Sequence, residues 1–393
     1  MDDLCRYRRD HLAARVHYMQ HPPNPVSGDG KQFVDLVCEG GGVRGIALVG
    51  ALAVLEERGY VPQNLAGTSA GAIVATLRAA GYDPSAIYDI MTSKDFDFQR
   101  IQDTAWEDRL PGVGTPLSML LDLGLYEGEY FLGLMRELLA QKNVYRFSDL
   151  IHPDFADVDR FRYKVRVIAS DITAGCLLAL PQDAKDNLGT PADELDVALA
   201  VRMSMSIPAF FEPVTYQHRE TGCDHLIVDG GILSNFPVWL FDVEGEPAWP
   251  TFGLRLVEDD VQQPLARGLE APLLDPGRVS LVVDYVKRLI ETMMQAHDRL
   301  YLEQDSFVRT IPIDTLGIAA TSFKITRTQV DDLYQSGRQA AEAFLATWDF
   351  DAYKAEFRSG KHHSRRTEVT ALLADARKRI GGKGGPTHDG RGE

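Results

Sequence analysis

Ser69 stands between two glycines, Gly67 and Gly71, in the stretch LAGTSAGAIVATLRAAGY from Leu65 to Tyr82. A serine inside a helix or strand needs no such neighbours. A serine on a sharp strand-to-helix turn needs both, because a side chain at either flanking position would clash. Such a turn presents the hydroxyl as a nucleophile. Glycines of this kind also occur as plain packing residues at a helix start, so the pentapeptide alone does not decide.

A second stretch, EGGGVRG from Glu39 to Gly45, follows an apolar run and precedes a helical pattern. Its bare glycines free backbone N–H groups at a helix N-terminus, which favours anions. Gly40, Gly42 and Gly45 fit G-x-G-x-x-G, so a dinucleotide site is one reading. That reading wants an acid about 20 residues on; the segment there, RGYVPQNLAGTSAG, has none. The other use of such a loop is an oxyanion hole. Two or three fixed N–H donors aimed at the oxygen of a tetrahedral intermediate contribute about 3–4 kcal/mol.

A serine nucleophile needs a base. After Ser69 come His152, His218, His225, His297, His362, His363 and His388. None sits in a tight strand-end loop beside turn glycines, and loop histidines commonly have no catalytic role. Asp229 does: it ends HLIV and is followed by Gly230 and Gly231. An aspartate there also makes an ordinary Asx turn. Held close to the serine and partly desolvated, however, its carboxylate gains basicity and accepts the hydroxyl proton.

The elements that position these groups follow from periodicity. Phe33–Cys38 is short enough for a buried strand, and Ile46, Val49, Leu52 and Leu55 follow at helical spacing up to Gly59. Asn64–Gly67 reads as a second strand and Ala70–Ala80 as a second helix. RYKVRVIASDI, HLIV and PTFGLRL read as further strands. Helices are expected from Glu194 to before Pro208, over Leu281–Gln304 and over Gln329–Thr347. Strands alternating with helices predict an α/β fold with a largely parallel sheet.

The chain has 393 residues, 45% hydrophobic and 25% charged, enough for a large core. Cys5, Cys38, Cys176 and Cys223 show no metal-ligand spacing, so neither a zinc site nor a disulfide framework is expected. The net charge of -16 disfavours nucleic acid as a partner. The charged N-terminus does not read as a signal peptide, and the apolar run Ile46–Leu55 is too short to span a bilayer. A soluble, cytoplasmic protein is expected.

In chain order, EGGGVRG, GTSAG at Gly67–Gly71 and DGG at Asp229–Gly231 together resemble the patatin-like phospholipases. ASDITAG at Ala169–Gly175, SMSIPAFFEPV at Ser204–Val214 and the run DGGILSNFPV are similar too, so the resemblance covers Phe33 to Leu256. It implies a three-layer α/β fold, with a central, mostly parallel sheet flanked by helices and a helical cap insertion. It implies a Ser–Asp dyad of Ser69 and Asp229 that works without histidine, metal or cofactor. The oxyanion hole would come from the amides of Gly41, Gly42 and Val43, within the glycine loop Gly40, Gly41, Gly42, Val43, Arg44 and Gly45. Gly67 and Gly71 would form the elbow, and Gly230 and Gly231 the turn after the base. Substrates would be acyl esters of phospholipids, met in transient contact with a membrane surface, with room for an activating partner. Glu39 stands where the family often has aspartate, and Gly231 where alanine is also common.

The expected organisation is a polar leader (1–30), a catalytic domain (31–260) with a cap at 83–153, a helical C-terminal extension packed on the core (261–375) and a disordered tail (376–393). Within the cap, Leu117, Met119, Leu120, Leu121, Leu125, Tyr126, Phe131, Leu134 and Met135 form an apolar series read as helix packing, with a membrane-facing role as the alternative. Two other functional readings stand beside the lipid hydrolase. One is a lipid- or partner-binding scaffold with gated or no catalysis. The other is a Ser-His-Asp esterase, for which His297 is the histidine to test.

Overall fold

The computed structural model describes residues 32–93, 96, 127–257 and 304–358, apart from positions 209, 244, 321, 323 and 324. The expected leader, the tail, the helix over 281–303, the stripe from Leu117 to Tyr126, and His297, His362, His363 and His388 lie outside these residues. Elements are numbered among the described residues.

Eight strands form one sheet: β1 (Gln32–Cys38), β2 (Tyr60–Thr68), β3 (Val165–Asp171), β4 (Cys176–Leu180), β5 (Val214–Gln217), β6 (Asp224–Asp229), β7 (Thr251–Val257) and β8 (Thr310–Asp314). Hydrogen-bonded neighbours link β5 to β6, β6 to β3, β3 to β2, β2 to β1, β1 to β7 and β7 to β8, with β4 also paired to β3. β3, β2, β1, β7 and β8 are mutually parallel, whereas β4 and β6 run antiparallel to β3 and β5 antiparallel to β6.

The central strands are buried on both faces, and their side chains alternate between two clusters. Val34, Leu36, Leu65, Val165 and Val167 point into the larger one; Val37, Ala66 and Ile168 point into the smaller. This period-2 split is what a parallel sheet covered on both sides requires. The larger cluster is roofed by α1 (Gly45–Glu57), α2 (Ala70–Ala79), α3 (Pro84–Met91), α6 (Val197–Ser204) and α8 (Arg327–Leu345), with α4 (Glu127–Ala140) packed on α6. The smaller is closed by Phe236, Val238, Leu240 and Phe241. Short helices α5 (Ala184–Leu188), α7 (Gln304–Val308) and α9 (Phe350–Phe357) complete the set.

Every residue of α1 from Gly45 to Leu55 is buried, as expected of a helix that is apolar all round. It lies between the sheet and α8. The two helices cross closely through glycines. A Cβ at Gly50 would fall 2.0 Å from the Tyr334 carbonyl oxygen, and one at Gly337 would fall 1.8 Å from that of Ala47. In the cap region Phe131 and Met135 are core residues and Leu134 is partly buried against them, so this part of the stripe serves packing.

Three expectations need correction. The C-terminal extension is not wholly helical, because Thr310–Asp314 adds strand β8 to the sheet beside β7. That strand is short and contains Pro312, which removes a ladder donor and is tolerated here at the sheet edge. β4 and β5, of five and four residues, likewise escaped the periodicity. The helix expected from Glu194 begins at Val197, where the Asp196 side chain caps it by accepting the Leu199 amide at 2.9 Å.

Gly337→Ala would gain about 1 kcal/mol on helix propensity alone. The Ala47 carbonyl makes the sign opposite: a net loss of about 1–3 kcal/mol is expected from overpacking, read from the urea unfolding midpoint.

Candidate active site

Ser69 links β2 to α2 with φ 52° and ψ −126°, a left-handed backbone on a non-glycine residue. Strain of this kind persists only where the surroundings enforce it. The flanking glycines are obligatory in this structure. A Cβ at Gly67 would lie 2.2 Å from the Gly71 carbonyl oxygen, and one at Gly71 would lie 2.3 Å from that of Cys38. Thus the end of β1 and the first turn of α2 touch beside the elbow.

Sheet topology brings Asp229 to the same point. β4 and β6 pair with the same residues of β3, so they occupy opposite edges of it. β4 also overlaps β2 along β3, which leaves β2 and β6 on one edge. There Thr68 pairs with Ile168 and Asp229 with the next residue, Ala169. The C-terminal ends of β2 and β6 therefore meet head to head, with Ser69 just past the first and Asp229 ending the second. A Cβ at Gly230 would lie 2.4 Å from the Ile168 carbonyl oxygen, so the turn after Asp229 is glycine for lack of room.

Both side chains are fully buried. Asp229 Oδ1 accepts the Gly231 amide at 2.7 Å, while Oδ2 has no hydrogen-bond partner among the described residues. Burial pushes the Asp229 carboxyl up to about 7, offset in part by the Gly231 amide and then by the Ser69 hydroxyl. The hydroxyl is thus near enough to act on the carboxylate. Its hydrogen-bond geometry is nevertheless met by Met205 Sδ at 3.7 Å, not by Oδ2. Resting enzymes often hold catalytic contacts long and tighten them on substrate binding.

The glycine loop packs against this pair. A Cβ at Gly40 would lie 3.1 Å from Ser69 Cβ and 2.2 Å from Asn235 Oδ1. Asn235 pins the loop from both sides, donating Nδ2 to the Gly40 carbonyl at 3.0 Å and accepting the Gly40 amide on its own carbonyl at 3.3 Å. Glu39, where the resemblance expects aspartate, reaches β7 and accepts the Leu256 amide. A side chain at Gly41 would strike Leu256. Gly42 has φ +54°, and its Cβ would meet the Ala320 carbonyl oxygen at 2.1 Å. That carbonyl accepts the Val43 amide at 3.2 Å. The Gly41 carbonyl takes both the Arg44 amide (3.1 Å) and Arg44 Nε (3.3 Å). The amides of Gly41 and Gly42 donate to no described residue. Gly45 opens α1, where a Cβ would press on Ala70 Cβ at 2.9 Å.

Ser204, Ser206 and Asn235 were not singled out from the sequence. They lay inside SMSIPAFFEPV and DGGILSNFPV, and nothing in their spacing marks them as neighbours of Ser69. The described histidines are elsewhere. His152 bonds Gln63 at 3.1 Å. The His218 and His225 rings lie tilted to each other at 5.8 Å, and His225 pairs with Asp171 at 2.6 Å. His225 is four residues before Asp229 on β6, about 13 Å along the strand. Among the described residues no cluster of His, Cys, Asp or Glu could hold a metal ion.

Asp229→Asn tests the burial of this charge. A carboxyl held above its ordinary value costs no stability well below pH 4 and progressively more as pH rises to about 7. The variant is therefore expected to melt higher than the parent at pH 8, by on the order of a few kcal/mol at most, and to match it near pH 4. Thermal melts at the two pH values measure the difference.

The model of the patatin-like phospholipase family matches residues 36–242, more than half of the chain and including the glycine loop, the elbow and Asp229. The uncharacterized protein YqhO of Bacillus subtilis is 34% identical over 81% of this chain and all of its own length. The uncharacterized NTE family protein Rv2565 of Mycobacterium tuberculosis is 27% identical over 79% of this chain; the match spans 46% of that longer protein. Among solved structures, VipD from Legionella pneumophila is similar at 17% identity and a TM-score of 0.44, covering 81% of this chain and 67% of that one. So distant a structural likeness carries no argument, and the assignment rests on the family match and the identity to YqhO. The chain belongs to the patatin-like phospholipase family.

Proposed function

We propose that the protein is a phospholipase A-type acyl hydrolase with Ser69 as nucleophile and Asp229 as general base. One observation carries the reading: a strained serine and an aspartate with one unpartnered oxygen end two strands that meet on a single edge of β3. A structural aspartate at a turn needs no burial and no vacant oxygen.

In this reading Oγ attacks the acyl carbonyl carbon as its proton passes to Asp229 Oδ2. The carbonyl oxygen becomes an oxyanion and is held by the free amides of Gly41 and Gly42, with Val43 joining only if it releases Ala320. Collapse expels the lipid alcohol, which takes the proton back from Asp229. Water then attacks the acyl-serine, giving its proton to the same carboxylate; collapse breaks the Oγ–acyl bond, the proton passes from Asp229 to Ser69 Oγ, and the fatty acid leaves. The raised carboxyl makes Asp229 a stronger base than a solvated aspartate, which is what replaces histidine. No metal or cofactor takes part in these steps. In this reading substrate enters from a lipid surface once whatever covers the buried Ser69 and Asp229 has moved. The rival Ser-His-Asp esterase would be supported by loss of activity in His297→Ala.

Fluorophosphonate labelling, together with fatty-acid release from mixed phospholipid vesicles, tests the dyad. Ser69→Ala should abolish both, and Asp229→Asn should lower turnover on the order of 10³–10⁴-fold. Normal turnover in Asp229→Asn would remove the aspartate from the mechanism. In the parent, kcat/KM should rise about tenfold per pH unit below about 7 and level off above it, since the carboxylate form is the active one.

A further inference from the structure

Three consecutive residues at the C-terminal end of α6 touch the dyad at three different atoms. Ser204 Oγ accepts the Ser69 amide at 2.9 Å. Met205 Sδ accepts the Ser69 hydroxyl at 3.7 Å. The Ser206 carbonyl accepts the Asp229 amide at 2.9 Å. All three residues are buried.

The Ser204 contact differs in kind from the other two. Ser69 holds an unfavourable backbone angle, and its amide points into the protein interior, where an unmet donor is costly. The acceptor is a side chain from another element. Ser204 Oγ also donates to the Ile168 carbonyl at 2.5 Å, so its own position is set by β3. The same Ile168 carbonyl limits the approach of Gly230, the residue after Asp229. Nucleophile and base are thus both referenced to one peptide of β3, and Ser204 is the link on the nucleophile's side. The segment is anchored from outside by the buried Arg202, whose guanidinium donates to Ser206 Oγ, to the Gly128 carbonyl at 3.2 Å and to the Glu212 carbonyl at 3.0 Å.

We propose that Ser204 is a positioning residue for the reaction: its hydroxyl fixes the Ser69 amide, and with it the line along which Oγ attacks. The inference rests on the reading of Ser69 as nucleophile. Ser204 touches neither substrate nor the reacting oxygen, so its removal acts on rate and not on affinity. A misplacement of about 1 Å at a reacting group costs on the order of 100-fold in rate.

The experiment is the fluorophosphonate labelling rate of the full chain, with kcat and KM on a soluble acyl ester. Ser204→Ala should label about 100-fold more slowly. Its kcat should fall while KM stays within about threefold, and its pH midpoint should remain that of the parent, because Asp229 keeps its surroundings. Ser204→Cys, similar in size with a weak sulfur acceptor, should fall between the two and serves if Ser204→Ala does not fold. Leu333→Ala, a core change on α8, supplies the control; it should melt lower yet label at the parent's rate. The proposal is overturned if Ser204→Ala labels as fast as the parent, or no slower than Leu333→Ala. Absence of labelling in the parent, or its persistence in Ser69→Ala, would instead remove the nucleophile itself, and this inference with it.

Discussion

The meeting of β2 and β6 on one edge of β3 is the constraint on which the site depends. A parallel neighbour fills the first half of that edge and an antiparallel one the second, so two chain ends converge in the middle of a sheet. Backbone groups there have no further ladder partners, and buried amides must find acceptors elsewhere. The Ser69 amide finds a serine hydroxyl and the Asp229 amide finds the Ser206 carbonyl. The glycines at 67, 71 and 230 follow from the same crowding, since each faces a carbonyl oxygen of a neighbouring segment.

Burial shapes the chemistry as well as the geometry. A carboxylate without a cation beside it, one oxygen unpartnered, is costly in a folded interior, and the cost appears as raised basicity. Arg202, the buried cation on the adjoining α6, spends its hydrogen bonds on two carbonyls and a hydroxyl, not on Asp229. An arginine paired with that aspartate would have lowered its basicity. Asp35, midway along β1, is also pushed up to about 7 by burial, in spite of the nearby Arg160. It contributes a similar loss of stability with rising pH.

Much of the site was legible in the sequence because its demands are local. A tight turn needs glycine at fixed offsets, and a strand end followed by two glycines marks Asp229 directly. Long apolar strands and helices, such as β1, α1 and β3, also declared themselves by period. What stayed hidden was set by distant contacts. Ser204 and Asn235 act at sequence separations of 135 and 195 residues, and no spacing rule links them to Ser69 or Gly40. The strand β8 was hidden because five residues with a proline satisfy no strand pattern unless a partner edge is already known. Which amides of the glycine loop are free was hidden too, for the Val43 amide is taken up by a carbonyl far down the chain.

The sheet's far side has a consequence for how the protein can be divided. The family match ends at residue 242, yet β7 begins at Thr251 and pairs with β1 from Asp35 to Cys38. A fragment cut at the boundary of the match would leave that flank of β1 as an open row of donors and acceptors on a flat, apolar strand. Such an edge recruits strands from other molecules. Residues past the match therefore complete the sheet on that flank of β1, through β7 and then the short β8 with its Pro312.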